Sequence, residues 1–392
     1  MAAETARKFE ALEAQAQRLL AVFTSAGYEA VAPAIIQPAD VFLDVVGESL
    51  RARTYVFTDP DGHELCLRPD ITVPTCRLHL ERHAQANVVA RYCYNGPAFR
   101  FQPAGASVAH PREFRQAGIE SFAETDRAKA ETEVVSVILQ ALRTAGIEEF
   151  TLRVGDLGLF HALLEALAIP QRWRERLRHH FWRPEAFRAE LKRLTSNPAA
   201  ALDDLAADLI SALDPDDEQG AEAVVGDYLE QHGLELIGAR TVGEIASCLR
   251  ATVADAKAEP MPQASADLIE AYLGVNAPAP AAGAHLEALM RRRGIDLGDA
   301  LETYHRRLQL LAAAGMDPAV VQFQAEFGRN LEYYTGFVFE VSVPRLGLHS
   351  PIAGGGRYDG LLKAVGAPED VPAVGAMIHT ERLLSAANGA PE

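Results

Sequence analysis

The spacing of apolar residues predicts a helix at the start of the chain and a hairpin soon after it. Over residues 4–26, apolar side chains recur every three or four positions, and this stripe ends before Gly27. TYVFT and ELCLR are short strand-like runs, and the Asp61–Gly62 pair between them is typical of a tight turn. We therefore predict an amphipathic helix, a β-hairpin and a second helix over 72–86.

The rest of the chain divides into strand-rich and helix-rich parts. ARYCYNGPAFRFQ, REFRQAGIESFA and FTLRVGD predict strands, with a helix over 128–145, and strands return near residue 320. Between them the chain is largely helical. The hairpins favour an α+β fold with an antiparallel sheet flanked by helices over a doubly wound parallel sheet. We expect a first part at 1–156, a helical insertion at 157–316 and a second part at 317–392.

Composition and charge narrow the class of protein. The 392 residues include 37 Lys and Arg against 54 Asp and Glu, a net charge of −17, and 48% are apolar. This balance excludes a collagen-like or wholly disordered chain, and the acidic excess argues against a protein that mainly grips nucleic acid. The four cysteines form no CxxC pair, so neither a zinc site nor a disulfide framework is expected. The charged N-terminus and the lack of a long apolar run predict a cytoplasmic protein without a membrane segment.

Two polar groups of residues could form a ligand site. On a strand, Gln116, Gly118 and Glu120 share one face, where glycine leaves space and the amide and carboxylate offer directed hydrogen bonds. The simpler alternative is a solvated sheet face. In LRPDIT, Asp70 could hold a ligand ammonium, or it could cap the helix that follows. The pattern alone leaves both interpretations open in each case.

Two glycine-flanked motifs lie near the end of the chain. In GRNLEYYTG, Arg329 could clamp a carboxylate with two hydrogen bonds, and Tyr333 and Tyr334 could line a pocket. The alternative is a strand with an exposed ion pair and ordinary aromatic packing. GGGRYDG is expected to form a turn into a helix and could bring the backbone close to a ligand, although it matches neither a Walker loop nor GxGxxG.

Motifs of this kind occur along the chain in a specific order: LRPDITVP, GPAFRFQ, FRQAGIESF, GRNLEYYTG, GGGRYDGLL and VGAMIHTERL. In this order they resemble the catalytic domain of class II histidyl-tRNA synthetases, over roughly 5–155 and 317–388. The resemblance implies the class II synthetase fold, an antiparallel sheet flanked by helices. Such domains dimerise, and YEAVAPAII, with its Pro33, is similar to a degenerate first motif of that dimer interface.

The resemblance also implies a histidine pocket. Asp70 stands where the enzymes have a glutamate near the ligand ammonium, and Gln116 and Glu120 match the pair that contacts the amino and imidazole groups. Arg329 matches the arginine near the histidine carboxylate, and tyrosines surround the imidazole. The matching positions are Asp70, Thr72, Gln116, Glu120, Arg329, Tyr333, Tyr334 and Tyr358.

The ATP-binding half of the family's site departs from the pattern. Gln102 replaces the glutamate of FRxE, the loop PAGASVAHP lacks the usual basic residues, and His379 replaces a glycine of the adenine slot. An imidazole there is expected to fill the slot, since overpacking costs about 1–3 kcal/mol. The arginines that remain as a residual anion site are Arg100, Arg112 and Arg382. No catalytic residue, metal or cofactor is predicted.

The predicted pocket without an ATP site has a counterpart among synthetase-like proteins. The enzymes also continue into an anticodon-binding domain of about a hundred residues, whereas this chain ends about ten residues after Arg382, so we expect no tRNA binding. The combination is similar to the regulatory subunits of ATP phosphoribosyltransferase. That family acts in histidine biosynthesis, where the regulatory chain is required for activity of a short catalytic subunit and for feedback inhibition by histidine.

The resemblance therefore implies a non-catalytic regulatory protein. Its expected partner is the short-form ATP phosphoribosyltransferase catalytic subunit, its effector is histidine, and its assembly is a homodimer within a hetero-oligomer. Neither tRNA nor a membrane is an expected partner. Two alternatives remain open: a truncated histidyl-tRNA synthetase or related histidine-activating enzyme, and a scaffold that binds the partner but no ligand.

Overall fold

The computed structural model describes residues 5–43, 50–103, 105–106, 111–196, 207–234, 241–328, 333–347 and 350–388. The chain forms two compact units, the first made of 1–166 and 272–392 and the second of 167–271. The second unit is narrower than the helical insertion expected at 157–316. Residues on both sides of it belong to the first unit, in which the Tyr272 hydroxyl donates to the carbonyl oxygen of Asp156 at 3.3 Å.

Two sheets form the centre of the first unit. Their strands are β1 (Glu29–Ala30), β2 (Ile36–Pro38), β3 (Tyr55–Thr58), β4 (Glu64–Leu67), β5 (Ala90–Phe99), β6 (Glu113–Phe122), β7 (Thr151–Asp156), β8 (Asn276–Pro278), β9 (Val321–Gln324), β10 (Phe337–Ser342), β11 (Ala353–Arg357) and β12 (Ala373–His379). The larger sheet has nine strands in the order β1-β5-β6-β12-β11-β10-β7-β9-β8, and the smaller has three in the order β2-β4-β3.

Most neighbouring strands run antiparallel, as the sequence predicted. The exceptions are the pairs β1–β5 and β7–β9, which are parallel. The predicted hairpin is confirmed, since β3 pairs antiparallel with β4 and Gly62 in its turn has a φ of 89°. That left-handed conformation suits glycine, which has no Cβ to clash. The glycine run before Tyr358 differs from expectation, because it forms strand β11 inside the sheet rather than a turn.

Helices flank the sheet and make up the described part of the second unit. They are α1 (Ala6–Ser25), α2 (Ala39–Leu43), α3 (Thr72–Arg82), α4 (Arg127–Thr144), α5 (Leu157–Ala166), α6 (Gln171–His180), α7 (Pro184–Ser196), α8 (Ala207–Ala212), α9 (Glu218–Gln231), α10 (Val242–Ala256), α11 (Gln263–Leu273), α12 (Ala279–Arg293), α13 (Asp299–Ala313), α14 (Leu361–Ala364) and α15 (Thr380–Asn388). None of these described helices is long and apolar enough to cross a bilayer.

The helix predicted first illustrates how the sequence sets these elements. Thr5 caps α1 by accepting a hydrogen bond from the Lys8 N–H. Leu12, Leu19 and Phe23 are buried. The apolar residues that recur every three to four positions therefore form the face of the helix that packs against the protein. α1 and α13 both lie against α4, which packs on β12. This layer holds the central strands of the sheet, and those strands carry the candidate site.

Candidate ligand-binding site

The polar face predicted on β6 lies inside the protein. Glu120 is 0% exposed and Gln116 is 1% exposed. Strands β5 and β12 pair with β6 on its two edges and enclose these positions. The alternative of a solvated sheet face is therefore wrong. A carboxyl and an amide buried to this extent require hydrogen-bonding partners.

Three hydroxyl groups surround the Glu120 carboxyl. The Thr72 Oγ1 donates to Oε1 at 2.8 Å, and the Tyr94 hydroxyl donates to the same oxygen at 2.9 Å. The Tyr358 hydroxyl donates to Oε2. Burial raises the pKa of Glu120 to about 7, although the three hydrogen bonds act in the opposite direction. Within the described residues no cationic side chain forms an ion pair with this carboxyl, whose partners are the three hydroxyls.

Two glycines make room for this arrangement. Gly375 on β12 pairs with Glu120, and a Cβ at Gly375 would overlap the Glu120 Oε2. Gly118 pairs with Tyr94, and a Cβ at Gly118 would lie 2.6 Å from the Tyr94 hydroxyl. Both overlaps are closer than real Cβ contacts. The strands at these points can therefore carry only glycine while Tyr94 and Glu120 keep their positions.

Asp70 has a structural contact with the helix that follows and a second contact with the tyrosine motif. It is buried, its Oδ1 accepts from the Val73 N–H of the first turn of α3 at 3.2 Å, and its Oδ2 accepts from the Tyr333 hydroxyl at 3.4 Å. Asp70 thus supports the start of the helix and also faces the tyrosine motif. Burial raises the pKa of Asp70, with the charge of Arg100 opposing the shift.

The three tyrosines of the prediction form one cluster. The ring centroids of Tyr333 and Tyr334 are 4.9 Å apart, and those of Tyr333 and Tyr358 are 5.8 Å apart. All three side chains are buried. Because Tyr333 contacts Asp70 and Tyr358 contacts Glu120, the cluster connects the two buried carboxyls.

The structure thus brings most of the predicted site residues together. Thr72, Glu120, Tyr358, Tyr333, Tyr334 and Asp70 follow one another in contact. Gln116 lies on the same strand as Glu120 but touches none of the others by a hydrogen bond. Arg329 lies outside the described residues.

Gln116 carries an incomplete hydrogen-bond pattern. Its Oε1 is buried and has no hydrogen-bond partner in the described part of the chain. Leaving a buried acceptor unsatisfied costs about 1–3 kcal/mol. Gln116 and Glu120 are four residues apart on β6, about 13 Å along a strand. A small ligand with N–H donors at both of its ends would suit this pair.

Tyr94 and Gly375 belong to the site but were not among the predicted residues. Tyr94 is one of two buried tyrosines on β5, and nothing in ARYCYN distinguishes it from Tyr92. Its role depends on the register that pairs it with Gly118. The same holds for Gly375, whose partner Glu120 lies far away in sequence. The glycine in VGAMIH indicates a close approach of another residue, but the sequence alone does not show that this residue is Glu120.

The residues of the predicted anion site make separate contacts. The Arg100 Nε donates to the Pro69 carbonyl at 2.8 Å, and the Arg382 guanidinium donates to the Pro351 carbonyl at 2.9 Å. The Arg112 guanidinium lies over the Phe101 ring, 5.9 Å from its centroid.

Two residues that differ from the enzyme pattern are held by neighbours. The strand predicted over ARYCYNGPAFRFQ ends at Phe99 in the structure, so Gln102 lies beyond it. Gln102 accepts from Arg53 at 2.6 Å and donates to the Pro111 carbonyl at 3.0 Å. The His379 ring lies 5.6 Å from the Phe114 ring, and Arg100 lies 5.1 Å from the same ring. His379 therefore lies beside an aromatic side chain.

The arginine of GGGRYDG has a structural role. Arg357 is buried and donates to Glu131, and also to Asp359 at 2.7 Å. Arg307 of α13 donates to the same Glu131 at 2.6 Å and to Asp156 at 2.9 Å. These five residues form a buried ion-pair network, which ties β11 to α4, α13 and β7.

The chain matches a known family model over most of its length. The model of histidyl-tRNA synthetase matches residues 4–231 and 247–383. A protein of Agrobacterium fabrum called ATP phosphoribosyltransferase regulatory subunit is 38% identical over 376 residues, which cover 94% of this chain and 95% of that protein. One of the same name from Mesorhizobium japonicum is 33% identical and covers 98% and 99% of the two chains.

Solved structures agree on the fold. A crystal structure from Bacillus halodurans, described as an ATP phosphoribosyltransferase regulatory subunit/histidyl-tRNA synthetase, superposes with a TM-score of 0.68 at 21% identity over 99% of this chain and 82% of that one. The histidyl-tRNA synthetase of Nostoc sp. gives a TM-score of 0.61 at 15% identity, over 96% and 71% of the two chains. At these identities the likeness concerns the fold alone.

Proposed function

We propose, from the premise that this chain belongs to the family of ATP phosphoribosyltransferase regulatory subunits, that it binds histidine around Glu120 and thereby controls a short catalytic subunit. The family's name implies a catalytic partner. We propose further that the effector is histidine, that it binds in the pocket around Glu120, and that the chain forms a homodimer within a hetero-oligomer.

One observation carries the ligand assignment. Glu120 is a buried carboxyl with no cationic partner among the described residues, and Gln116 on the same strand has an unpartnered acceptor. Both groups accept hydrogen bonds, so the ligand has to supply donors at two ends. Histidine carries an ammonium at one end and an imidazole N–H at the other. A scaffold without a ligand gives no reason to keep both groups buried and incomplete.

The proposed contacts follow from the positions of the side chains. Glu120 receives the imidazole, while Gln116 and Asp70 receive the ammonium end. Arg329, by its place in the motif, pairs with the ligand carboxylate. The tyrosine cluster of Tyr333, Tyr334 and Tyr358 encloses the ring, with Thr72 fixing Glu120. Control of the partner is then linkage: histidine binds one conformation of the assembly better and shifts the population toward it, with a coupling of about 1–3 kcal/mol.

We also propose that synthetase chemistry is lost. The position of the family's adenine-binding glutamate is held by Gln102, whose amide is engaged by Arg53 and Pro111. His379, which stands where the resemblance places a glycine of the adenine slot, packs toward Phe114. The residual anion site of this proposal comprises Arg100, Arg112 and Arg382. The protein on this view catalyses no reaction of its own and acts in the cytoplasm.

A homodimer within a hetero-oligomer is the proposed assembly. The three-stranded sheet exposes apolar side chains that a monomer has little reason to present, since Ile36 is 52%, Val56 is 42% and Phe57 is 38% exposed. The YEAVAPAII segment, which resembles the dimer motif, ends at Ile36, the first residue of strand β2 in this sheet. Sedimentation of the wild type and of a Val56→Asp variant tests this, because a charge at the interface should give a monomer.

The function is tested by mixing the protein with the short ATP phosphoribosyltransferase of the same genome. Turnover of ATP and phosphoribosyl pyrophosphate is followed with and without histidine. We expect activity to require this chain and to fall with histidine. A Glu120→Ala variant should still form the complex and restore activity, but without the histidine response. Activity indifferent to the chain overturns the proposal, and histidine-dependent exchange of pyrophosphate into ATP would identify a histidine-activating enzyme instead.

A further inference from the structure

The Glu120 carboxyl offers one acceptor position to a ligand. An ionised carboxylate has about four lone-pair directions, two on each oxygen. Thr72 and Tyr94 occupy two on Oε1, and Tyr358 occupies one on Oε2. One direction remains on Oε2, the oxygen next to Gly375. An N–H group bound there would complete the hydrogen bonding of the carboxylate.

Among the residues that the structure describes, no cationic side chain balances the charge of this carboxyl. The ionisable groups whose charges act on Glu120 from the surrounding elements are Tyr28, Asp70, Cys76, Tyr94 and Tyr358. Burial raises the pKa of each phenol and of the thiol, so these groups stay neutral at physiological pH. Asp70 is itself an acid and adds no positive charge. In the free protein, Glu120 therefore holds a proton at mildly acidic pH, since its pKa is about 7.

We propose that histidine binds with a single proton shared between its imidazole and Glu120. In this scheme, Tyr94 sets the pH at which histidine binding changes from releasing a proton to taking one up from solvent. This inference rests on the proposed function. A carboxylate with an imidazolium and a carboxylic acid with an imidazole contain the same atoms, so the bound pair holds one proton in either form. If the free imidazole and the free Glu120 both carry a proton, one proton is released when they bind. If neither carries one, a proton is taken up.

The pH of the crossover between release and uptake identifies the carboxyl involved. It lies midway between the two free pKa values, about 6.5 for imidazole and about 7 for Glu120, which places it near pH 6.8. Affinity for histidine should also be highest there. An ordinary glutamate, with a pKa of about 4.3, would place the crossover near pH 5.4.

Tyr94 is a positioning residue in this scheme. Its hydroxyl donates to Oε1 and thereby lowers the pKa of Glu120. Without that bond the pKa should rise by about one unit, and the crossover should rise by about half a unit. Tyr92 is the matched control: it is buried on the same strand, but its hydroxyl contacts His83 at 3.0 Å and not Glu120.

The test is calorimetric titration of the full chain with histidine between pH 5.5 and 8, in buffers of different ionisation enthalpy. We expect nearly one proton released at pH 5.5, nearly one taken up at pH 8, and a crossover near 6.8. Tyr94→Phe should move the crossover upward, and Tyr92→Phe should leave it in place. Thr72→Val, which removes the other bond to Oε1, should act like Tyr94→Phe and serves if that variant fails to fold.

The outcomes separate this inference from the proposed function. Histidine binding with a crossover near pH 5.4, or with Tyr94→Phe and Thr72→Val both unshifted, overturns the shared proton and leaves histidine as the effector. Absence of histidine binding across the whole pH range overturns the proposed function and this inference together.

Discussion

Two consecutive residues, Arg357 and Tyr358, lead into two different kinds of buried polar structure. Arg357 enters the network in which Glu131 has two guanidinium partners, with Arg307 also reaching Asp156. Tyr358 leads to Glu120, whose partners are three hydroxyls. Burial alone would raise the pKa of both glutamates. The arginines lower that of Glu131 below its ordinary value, whereas that of Glu120 stays raised.

The difference shows which buried charges need a ligand to explain them. The ion-pair network is complete within the chain, so holding the strands and helices together accounts for it. The Glu120 region is incomplete among the described residues, because Glu120 has no cationic partner and the Gln116 Oε1 has no hydrogen-bond donor. Perturbed and unbalanced groups are more informative about function than balanced ones. The comparison can be tested by removing members of each region.

The largest effect is expected from breaking the ion-pair network. Arg307→Met leaves Glu131 and Asp156 with fewer cations in the interior, and removal of one partner of a buried pair costs about 3–5 kcal/mol. Urea unfolding should show this loss in the free energy of unfolding. Arg306→Met is the matched control, because Arg306 is the next residue on α13 and its ion pair with Asp126 is exposed. Exposed pairs contribute about 1 kcal/mol or less, so equal effects would contradict the distinction.

The probe for these experiments has to report on the correct unit. Both tryptophans, Trp173 and Trp182, lie in the second unit. Tryptophan fluorescence therefore follows that unit, and unfolding of the first unit needs circular dichroism or hydrogen exchange. Changes in the ion-pair network or at Glu120 lie in the first unit and should therefore be followed by the second kind of signal.

The pH dependence of stability should distinguish the two glutamates. A carboxyl with a raised pKa in the folded state stabilises the fold most when protonated, and this contribution is lost as the pH rises from 4.5 through about 7. Relative to Glu120→Gln, the wild type should lose up to about 3 kcal/mol over that range. Glu131, with its lowered pKa, contributes in the opposite sense. A pH-independent difference between wild type and Glu120→Gln would remove the argument for an unbalanced carboxyl.

Much of this comparison was visible in the sequence, and its limits have physical causes. Spacing along one strand placed Gln116 and Glu120 together, and Asp61–Gly62 predicted the hairpin, because both are local patterns. The roles of Tyr94 and Gly375 depend on register between strands, which no local pattern states. The limits of the second unit were also hidden, since helices that pack on the sheet and helices that pack on one another have the same periodicity.

A smaller effect is expected from Gly375→Ala, which changes no charge. The added Cβ overlaps the Glu120 Oε2, so the carboxyl has to move away from its hydroxyl partners. Such overpacking costs about 1–3 kcal/mol, and we expect histidine affinity to fall at least about tenfold. Gly226→Ala is the control, because a Cβ there meets nothing within 4 Å and the glycine is within α9. It should leave histidine binding unchanged and stabilise the protein slightly.

The smallest effect should come from the Tyr333 hydroxyl, and removal of single tyrosine hydroxyls should act differently at the two carboxyls. Tyr333 donates to Asp70 over 3.4 Å, a long bond, so Tyr333→Phe should weaken histidine binding less than about fivefold. Tyr358 donates to Glu120, whose charge must be stabilised when the ligand is bound, and a hydrogen bond to a charged group contributes about 1.5–3 kcal/mol. Tyr358→Phe should therefore weaken binding more than tenfold. Calorimetry on both variants tests this order, and a larger effect at Tyr333 would place the ligand's main anchor at Asp70 rather than at Glu120.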